Sequence, residues 1–402
     1  MKMIVISKTD DRYWGSCDEI ELAFDGVIDQ LRSKVTIEHI KYTEDVLDQK
    51  IIEIMNLIDK GYDSIYFLSH NINFNTFLKK LSNYRDVLNL LIPVYGDMTI
   101  QVNRWTDAHH NLKGWKTKII VASIASKKQI EKFVQNKKSI YILKHSLTNP
   151  YLKPVKEKED TGITKYIYAG RISLGKNVFA LMDDFITASK IKNNIELNIY
   201  GSVDSIGYRF INYSRIDHIL LEEFNHILKL SGGVIKYHGQ KSSKEMSSIY
   251  KDHDYFISMS TYQDEDYGLA VAQSIASNCY PILSKWGGYR DFDCATHIET
   301  KLMSNFHFTY NRKRLIQTIC NPPPINKEEM LEYSIQNIYP DAIAINLFNI
   351  LEKESEVYSG QTSFFWKYRN FYKKNSGQPY INIKNSLEVE SVYKSVYHSY
   401  YE

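Results

Sequence analysis

The chain is short of the residues that would tie it to several protein classes. Its 402 residues include four cysteines, Cys17, Cys279, Cys294 and Cys320. They form no C-x-x-C pair and have no histidine at zinc-ligand spacing, so a disulfide frame and a zinc site are both disfavoured. Free thiols in a reducing compartment are expected instead. No stretch reaches the roughly 18 uninterrupted apolar residues of a membrane-spanning helix. The apolar run in MKMIVISKTDD is too short for the core of a secretory signal, which makes a cytoplasmic protein the expectation. Charge of one sign is not in excess either. The 50 Lys and Arg face 47 Asp and Glu, a net +3, too little for a general field that would draw nucleic acid. No G-x-G-x-x-G follows an apolar run, so the dinucleotide fingerprint is missing as well.

What is present is the pattern of two soluble α/β domains. The apolar fraction is 43% and the charged fraction 24%, ordinary for a globular chain, and the length suffices for two cores. Short, near-continuous apolar runs at Lys2–Ser7, Val35–His39, Ser64–Ser69, Leu91–Tyr95, Lys118–Ala122 and Ser139–Leu143 alternate with helical patterns such as Ile20–Arg32 and Ile51–Asp59. That alternation predicts a parallel sheet covered on both faces. The polar stretch Pro150–Gly162, with two prolines, interrupts it and reads as a linker. The rhythm restarts with strands predicted at Lys165–Ala169, Glu196–Tyr200, Gly233–Tyr237, Tyr255–Met259 and Tyr280–Leu283. The expected division is therefore 1–152, 163–352 and a tail of 353–402. In that tail SFFWKYRNFYKK (Ser363–Lys374) has an amphipathic pattern. It could pack back on the first domain, touch a membrane surface or bind a partner protein. The 31 tyrosines suit sugar faces and interfaces alike.

Two segments carry chemistry. The strand ending at Ala169 runs into Gly170-Arg171-Ile172-Ser173-Leu174-Gly175-Lys176-Asn177. Ligands of open α/β sheets lie beyond the carboxyl ends of strands, where this loop must sit. Arg171 and Lys176 would bring two cations to one point, suited to a diphosphate; a solvated turn with two surface cations is the plainer alternative. The second segment, Ser260-Thr261-Tyr262-Gln263-Asp264-Glu265-Asp266-Tyr267-Gly268, precedes the helical pattern LAVAQSIAS. Three acids there complement a helix N-terminus. Alternatively, one carboxylate holds sugar hydroxyls while backbone N–H groups at Gly268 and Leu269 face phosphates.

Taken together and in order, these segments resemble the retaining glycosyltransferases of the GT-B fold, family 4 (glycosyl transferases group 1). The matching residues are Tyr168-Ala169-Gly170-Arg171 with Lys176, the strand closing in Gly201, Tyr237-His238-Gly239, and the Glu-x7-Glu element beginning at Glu265-Asp266-Tyr267-Gly268-Leu269, followed by Gly287-Gly288. The resemblance covers about residues 165–295; the first domain matches only in layout. It implies two Rossmann-like domains facing each other across a cleft, with a nucleoside-diphosphate sugar held by the second. Arg171, Lys176 and Glu265 would be the catalytic residues. Gly170, Gly201, His238, Gly239, Tyr267, Gly268 and Leu269 would complete the donor site. A UDP-sugar is the first candidate and a GDP-sugar the second, with no cofactor and no metal required. Asp264-Glu265-Asp266 offers a divalent site only superficially, since the helix after it fits the family element better. The acceptor would be a glycan, a lipid-linked intermediate or a protein, in bacterial surface-glycan or glycoconjugate synthesis.

Two departures stand out. The second acid of the Glu-x7-Glu element, which would grip the ribose, is Gln273 here. An amide accepts at one atom and donates at the other, whereas a carboxylate accepts from both hydroxyls of a cis-diol. In the first domain, a histidine common in relatives is replaced by Gly96-Asp97-Met98-Thr99. Asp97 could contact the sugar, and His109 or His110 could supply the imidazole, unless both are surface histidines in a polar loop. Gly15 could floor the diphosphate site or serve its own sheet. A non-catalytic subunit of the same fold, binding without turnover, is the alternative these departures keep open.

Overall fold

Near-continuous apolar runs become the strands of two parallel sheets. In the computed structural model the described residues are 1–9, 15–69, 72–96, 102–152, 161–204, 217–303, 308–374 and 386–402. They divide into two units, Met1–Thr148 with Asn337–Phe371, and Asn149–Gln336 with Tyr372–Glu402.

The first unit is built on β1 (Lys2–Lys8), β2 (Thr36–Tyr42), β3 (Ser64–Phe67), β4 (Asn89–Pro93), β5 (Lys116–Val121) and β6 (Ile140–Ile142). The order β2-β1-β3-β4-β5 is parallel throughout. The outer edge of β5 is shared: β6 pairs with Ile119–Val121, while Glu356–Val357 runs antiparallel beside Lys116 and Thr117. Met3–Ile6 are fully buried, as a strand covered on both faces requires.

The chain crosses back into this unit after residue 336, earlier than the boundary at 352 read from the sequence. The reason is the apolar face of the helix Pro340–Glu352. Ile343, Leu347, Ile350 and Leu351 join one core with Met3, Val5, Phe24, Val27 and Leu31. Pro340 opens that helix, where its missing N–H is no loss, and a Cβ on Gly26 would already touch the Pro340 ring at 3.4 Å. At the other end the buried Lys118 ammonium donates to the Ile350 and Leu351 carbonyls, 2.8 Å each, a cation at the negative end of the helix dipole. The aromatic helix Ser363–Lys374 also belongs here as far as Phe371. Its Phe364, Phe365 and Tyr368 rings surround Phe133, so the packing-back option is the one observed.

The second unit holds β7 (Thr164–Ala169), β8 (Ile195–Tyr200), β9 (Ile235–Tyr237), β10 (Tyr255–Ser258), β11 (Tyr280–Ser284) and β12 (Thr296–Ile298). Their order is β9-β8-β7-β10-β11-β12, all parallel. The chain therefore builds outward from β7 in one direction and from β10 in the other. The switch point between them is where open α/β sheets hold ligands. Asp184, buried on the helix Val178–Ser189, accepts from Tyr310 Oη and Arg312 Nε at 2.7 Å each, which fastens the strand Phe308–Tyr310 and the start of the helix Arg312–Cys320 to that helix. Among the described residues no helix is long and apolar enough to cross a membrane.

Candidate functional site

The loops that leave β7 and β10 flank the switch point, and they carry the two chemistry-bearing segments. Backbone contacts at the strand ends set their shape. The Gly170 N–H donates to Tyr200 O at 3.0 Å and the Gly201 N–H to Gly239 O at 3.0 Å, extending the β7-β8-β9 ladder past the strands. Gly201 has φ +145°, and a Cβ there would overlap the Gly170 carbonyl oxygen. Only glycine tolerates both.

The β7 loop is then locked to the β10 loop. Asn177 adopts a left-handed φ of 54°, tolerable for Asn among few residues. Its amide donates to Met259 O at 2.8 Å and to Thr261 Oγ1 at 2.9 Å. The Thr261 N–H donates to Gly175 O at 3.1 Å. Gly175 leaves room for the Tyr262 ring, which a Cβ would meet at 2.7 Å.

This lock brings Lys176 and Glu265 together. Lys176 Nζ lies 2.7 Å from both Glu265 carboxylate oxygens, with both side chains nearly buried. An ammonium has three donors; two are used here and one remains. The Arg171 guanidinium sits 4.9 Å and Lys176 Nζ 5.4 Å from the centre of the same Tyr262 ring, within cation–π range. Arg171 is also paired with Asp204 at 3.4 Å. Two cations thus flank one ring, each facing a carboxylate, and an entering anion would compete for them. Asn177, Tyr262 and Asp204 were not singled out in the sequence; only the Asn at a turn gave any signal.

Beyond Glu265, Gly268 has φ +105° and caps the helix Leu269–Ala276. A Cβ on Gly268 would strike the Tyr289 ring at 2.7 Å. Burial first, and then the Glu265 charge, push the Tyr289 phenol well up, so it stays protonated; it shares a 3.0 Å hydrogen bond with Ser258 Oγ. Tyr267 is fully buried and Gln273 sits buried on the helix. The Gly288 N–H donates to Glu265 O at 2.7 Å. At the β9 end the His238 ring stacks on Tyr200, centroids 4.6 Å apart at 11°, and its Nε2 shares a 2.6 Å bond with Asn198 Oδ1. Burial lowers its pKa, favouring the neutral imidazole.

In the first unit the sequence-read residues are not gathered in this way. Gly15 begins the helix Gly15–Leu31. Asp97 lies outside the described residues. His109 and His110 lie on the helix Val102–Leu112, not in a polar loop. The His109 ring packs edge-on to Tyr358 and Trp366, and a Cβ on Gly360 would meet it at 2.8 Å, which makes it a packing residue. Among the described residues, no group of three or more His, Cys, Asp or Glu could hold a metal ion.

No family model and no curated protein matches the sequence. Solved structures do match. Anabaena Alr3699/HepE, crystallised with UDP and glucose, superimposes with a TM-score of 0.58 at 12% identity, over 87% of this chain and 99% of that one. The lipopolysaccharide outer core galactosyltransferase WaaB gives 0.59 at 10% identity over 87% and 99%. A glycosyltransferase from Rickettsia africae gives 0.55 at 14% over 88% and 99%. At such identities the likeness establishes the fold, which is of the GT-B type.

Proposed function

We propose that this protein is a nucleotide-sugar-dependent glycosyltransferase which moves a sugar, with retention, from a nucleoside diphosphate to an acceptor hydroxyl. The observation that carries the reading is the Lys176–Glu265 pair beside Arg171 at the switch point of the second sheet. In the reaction the bond from the anomeric carbon to the diphosphate oxygen breaks. The acceptor oxygen forms its bond to that carbon on the same face, and the acceptor proton passes to the departing phosphate. Charge therefore grows on the diphosphate as it leaves. Arg171 and the third donor of Lys176 would neutralise it, helped by the N–H groups of Gly268 and Leu269 at the helix N-terminus. Glu265, oriented by Lys176, would accept hydrogen bonds from the sugar hydroxyls. Gln273 would meet the ribose, and the Tyr200–His238 platform with Gly239 the base.

UDP is the nucleotide of choice because the Anabaena neighbour was crystallised with UDP and with UDP-glucose. An acceptor on a bacterial glycan or lipid-linked intermediate is consistent with the outer-core enzyme among the neighbours. A thermal-shift screen against UDP-, GDP-, ADP- and CMP-sugars tests the donor, since a ligand that binds only the native state stabilises it by mass action. UDP-sugars should raise Tm; no response to any of the four rejects the reading. Gln273 favours one second reading, a subunit that binds the nucleotide without turnover. A UDP-induced shift without hydrolysis or transfer on any glycan acceptor would select it.

A further inference from the structure

The tail beyond residue 385 is used in a way that neither the strand pattern nor the donor motif explains. The helix Ser386–Tyr401 lies in the second unit, where Val396, Tyr397 and Tyr400 are fully buried. Its aromatic face closes on Trp286, itself fully buried. The Trp286 ring centroid is 5.3 Å from Tyr400, 6.3 Å from Tyr397 and 6.5 Å from Tyr401. Arg290 Nη1 donates to Ser399 O at 3.1 Å, which fixes the helix end.

From Trp286 two short links run to the candidate site. The indole N–H donates to the Tyr262 carbonyl at 2.7 Å, and it is the Tyr262 ring that carries Arg171 and Lys176. The next residue, Gly287, is squeezed between the tail and the site loop. A Cβ there would overlap the Glu265 carbonyl oxygen and lie 2.9 Å from Tyr400 Cδ1. Gly288 then donates to the same Glu265 carbonyl. The backbone at Tyr262 and at Glu265 is therefore held through one aromatic cluster whose outer wall is the C-terminal helix.

We infer that this helix is a positioning element for the donor site: Tyr397 and Tyr400, acting through Trp286 and Gly287, set where Tyr262 and Glu265 stand relative to Arg171 and Lys176. The inference rests on the glycosyltransferase reading for its consequence, but not for its structural content. The physical need is plain. A carboxylate shared between a lysine and sugar hydroxyls works only within a few tenths of an ångström, and such constellations depend on the packing behind them. A buried aromatic cluster supplies rigid contact with few rotamers to lose. Tyr397 and Tyr400 bear on the site through Trp286 and Gly287, so their role is to hold, not to react.

The test compares Tyr397→Ala/Tyr400→Ala, Tyr400→Phe and Arg290→Met in the full-length protein. Amide exchange is read at Tyr262–Gly268 and Gly288, with the strands β1 to β5 of the other unit as the internal control. Donor affinity and turnover are read alongside. The double alanine variant should exchange faster at Tyr262–Gly268 and Gly288 while β1 to β5 are unchanged. Its kcat/KM should fall about tenfold to a hundredfold, the range for misplacing a reactive group by about an ångström. Tyr400→Phe, which keeps the ring, should stay within about twofold of the parent in exchange and in rate. Arg290→Met should fall between them. Exchange at the site loop unaltered in the double variant overturns the inference, as does turnover equal to the parent's. Should the double variant fail to fold, Tyr400→Phe and Arg290→Met decide: loosening confined to the site loop in Arg290→Met supports the brace, and its absence overturns it. A parent protein that neither binds nor turns over any sugar nucleotide rejects the glycosyltransferase reading alone, because the exchange result stands without it.

Discussion

The two units are built on the same plan and end differently at the carboxyl edges of their sheets. In the second, Arg171 and Lys176 flank one tyrosine ring and face Asp204 and Glu265. In the first, a pocket past β4, β5 and β6 is lined by Leu68, Val94, Tyr95, Ala122, His145 and Ser146. Lys144 lines it too, its ammonium donating to Asn337 Oδ1 at 3.1 Å, and the pocket's other polar groups are neutral. Burial pushes the His145 imidazole down to about 4 and the Tyr95 phenol well up, so both are uncharged near neutrality. Ser146 Oγ is buried without a hydrogen-bond partner. One edge thus gathers two cations that each face a carboxylate, and the other a single lysine among neutral polar groups. A doubly wound sheet dictates where a ligand lies, and the loops decide its charge.

The sharpest way to break this contrast is to discharge the second edge. Arg171→Ala should lower transfer at least about a hundredfold, the scale for losing one donor to developing negative charge, while Ser146→Ala at the first edge leaves nucleotide affinity unchanged. Lys176→Ala should lose activity and stability together. It strands the Glu265 carboxylate, and breaking a buried pair in that way costs about 3–5 kcal/mol. The double variant Lys176→Met/Glu265→Gln removes both charges and should recover most of the Tm but none of the transfer. Transfer rates and melting curves of the four proteins decide it. Equal activity in Arg171→Ala and Ser146→Ala would erase the proposed difference between the edges.

The contrast was only half legible in the sequence. Strands such as Met3–Ile6 and Phe256–Ser258 announce themselves because burial on both faces demands unbroken apolar runs. The Gly170-Arg171 turn and the Glu265 loop are visible because each follows such a run. What the sequence hides is partner choice. Nothing in the 89-residue separation of Lys176 and Glu265 says that they meet; Asn177, Gly175 and Thr261 arrange it, and each looks like an ordinary loop residue. The helix Pro340–Glu352 displays an amphipathic face, but an apolar stripe does not say which of two similar sheets will cover it. The C-terminal helix is rich in tyrosine, a composition that fits a surface or an interior equally well. Gly201 reads as a strand terminator, and only the structure shows that a Cβ would run into Gly170. Gly201→Ala should therefore destabilise by about 3 kcal/mol or more, from the strained φ together with the overlap, measured by denaturant unfolding.

A pH titration sharpens the comparison from the first edge. His145 is held near 4 in the folded state against 6.5 unfolded, so below about 6.5 the unfolded chain takes up a proton that the native state refuses. Stability contributed by the neutral imidazole is full above 6.5, declines as pH falls from 6.5 towards 4, and is constant below. Two and a half pH units correspond to about 3 kcal/mol. His39 is lowered to a similar value, by burial first and then by Lys41, with Asp25 opposing, and it contributes in the same window. His145→Asn should therefore flatten part of the decline between pH 6.5 and 4, and the double variant with His39→Asn more of it. A decline of unchanged slope in His145→Asn would mean that the imidazole is solvated and its side of the pocket is not dry.

The smallest expected effect tests how far the second edge has been tuned. Gln273 is buried on the helix Leu269–Ala276, one turn and a half beyond the capping Gly268. If its amide meets the ribose, Gln273→Glu exchanges one donor and one acceptor for two acceptors aimed at a cis-diol. A charged acceptor makes the stronger hydrogen bond, but the new carboxylate must also be desolvated at a buried position. The two terms nearly cancel, leaving a gain of severalfold in UDP affinity, roughly 1 kcal/mol. The decisive control is the sugar of the nucleotide. The gain should vanish with 2′-deoxy-UDP, which lacks one of the two hydroxyls, and it should be absent for inorganic pyrophosphate, which engages the proposed diphosphate groups and not residue 273. Calorimetric titration of the three ligands separates these cases. A gain of equal size for all three would place residue 273 away from the ribose and leave the anion-binding half of the contrast standing on its own.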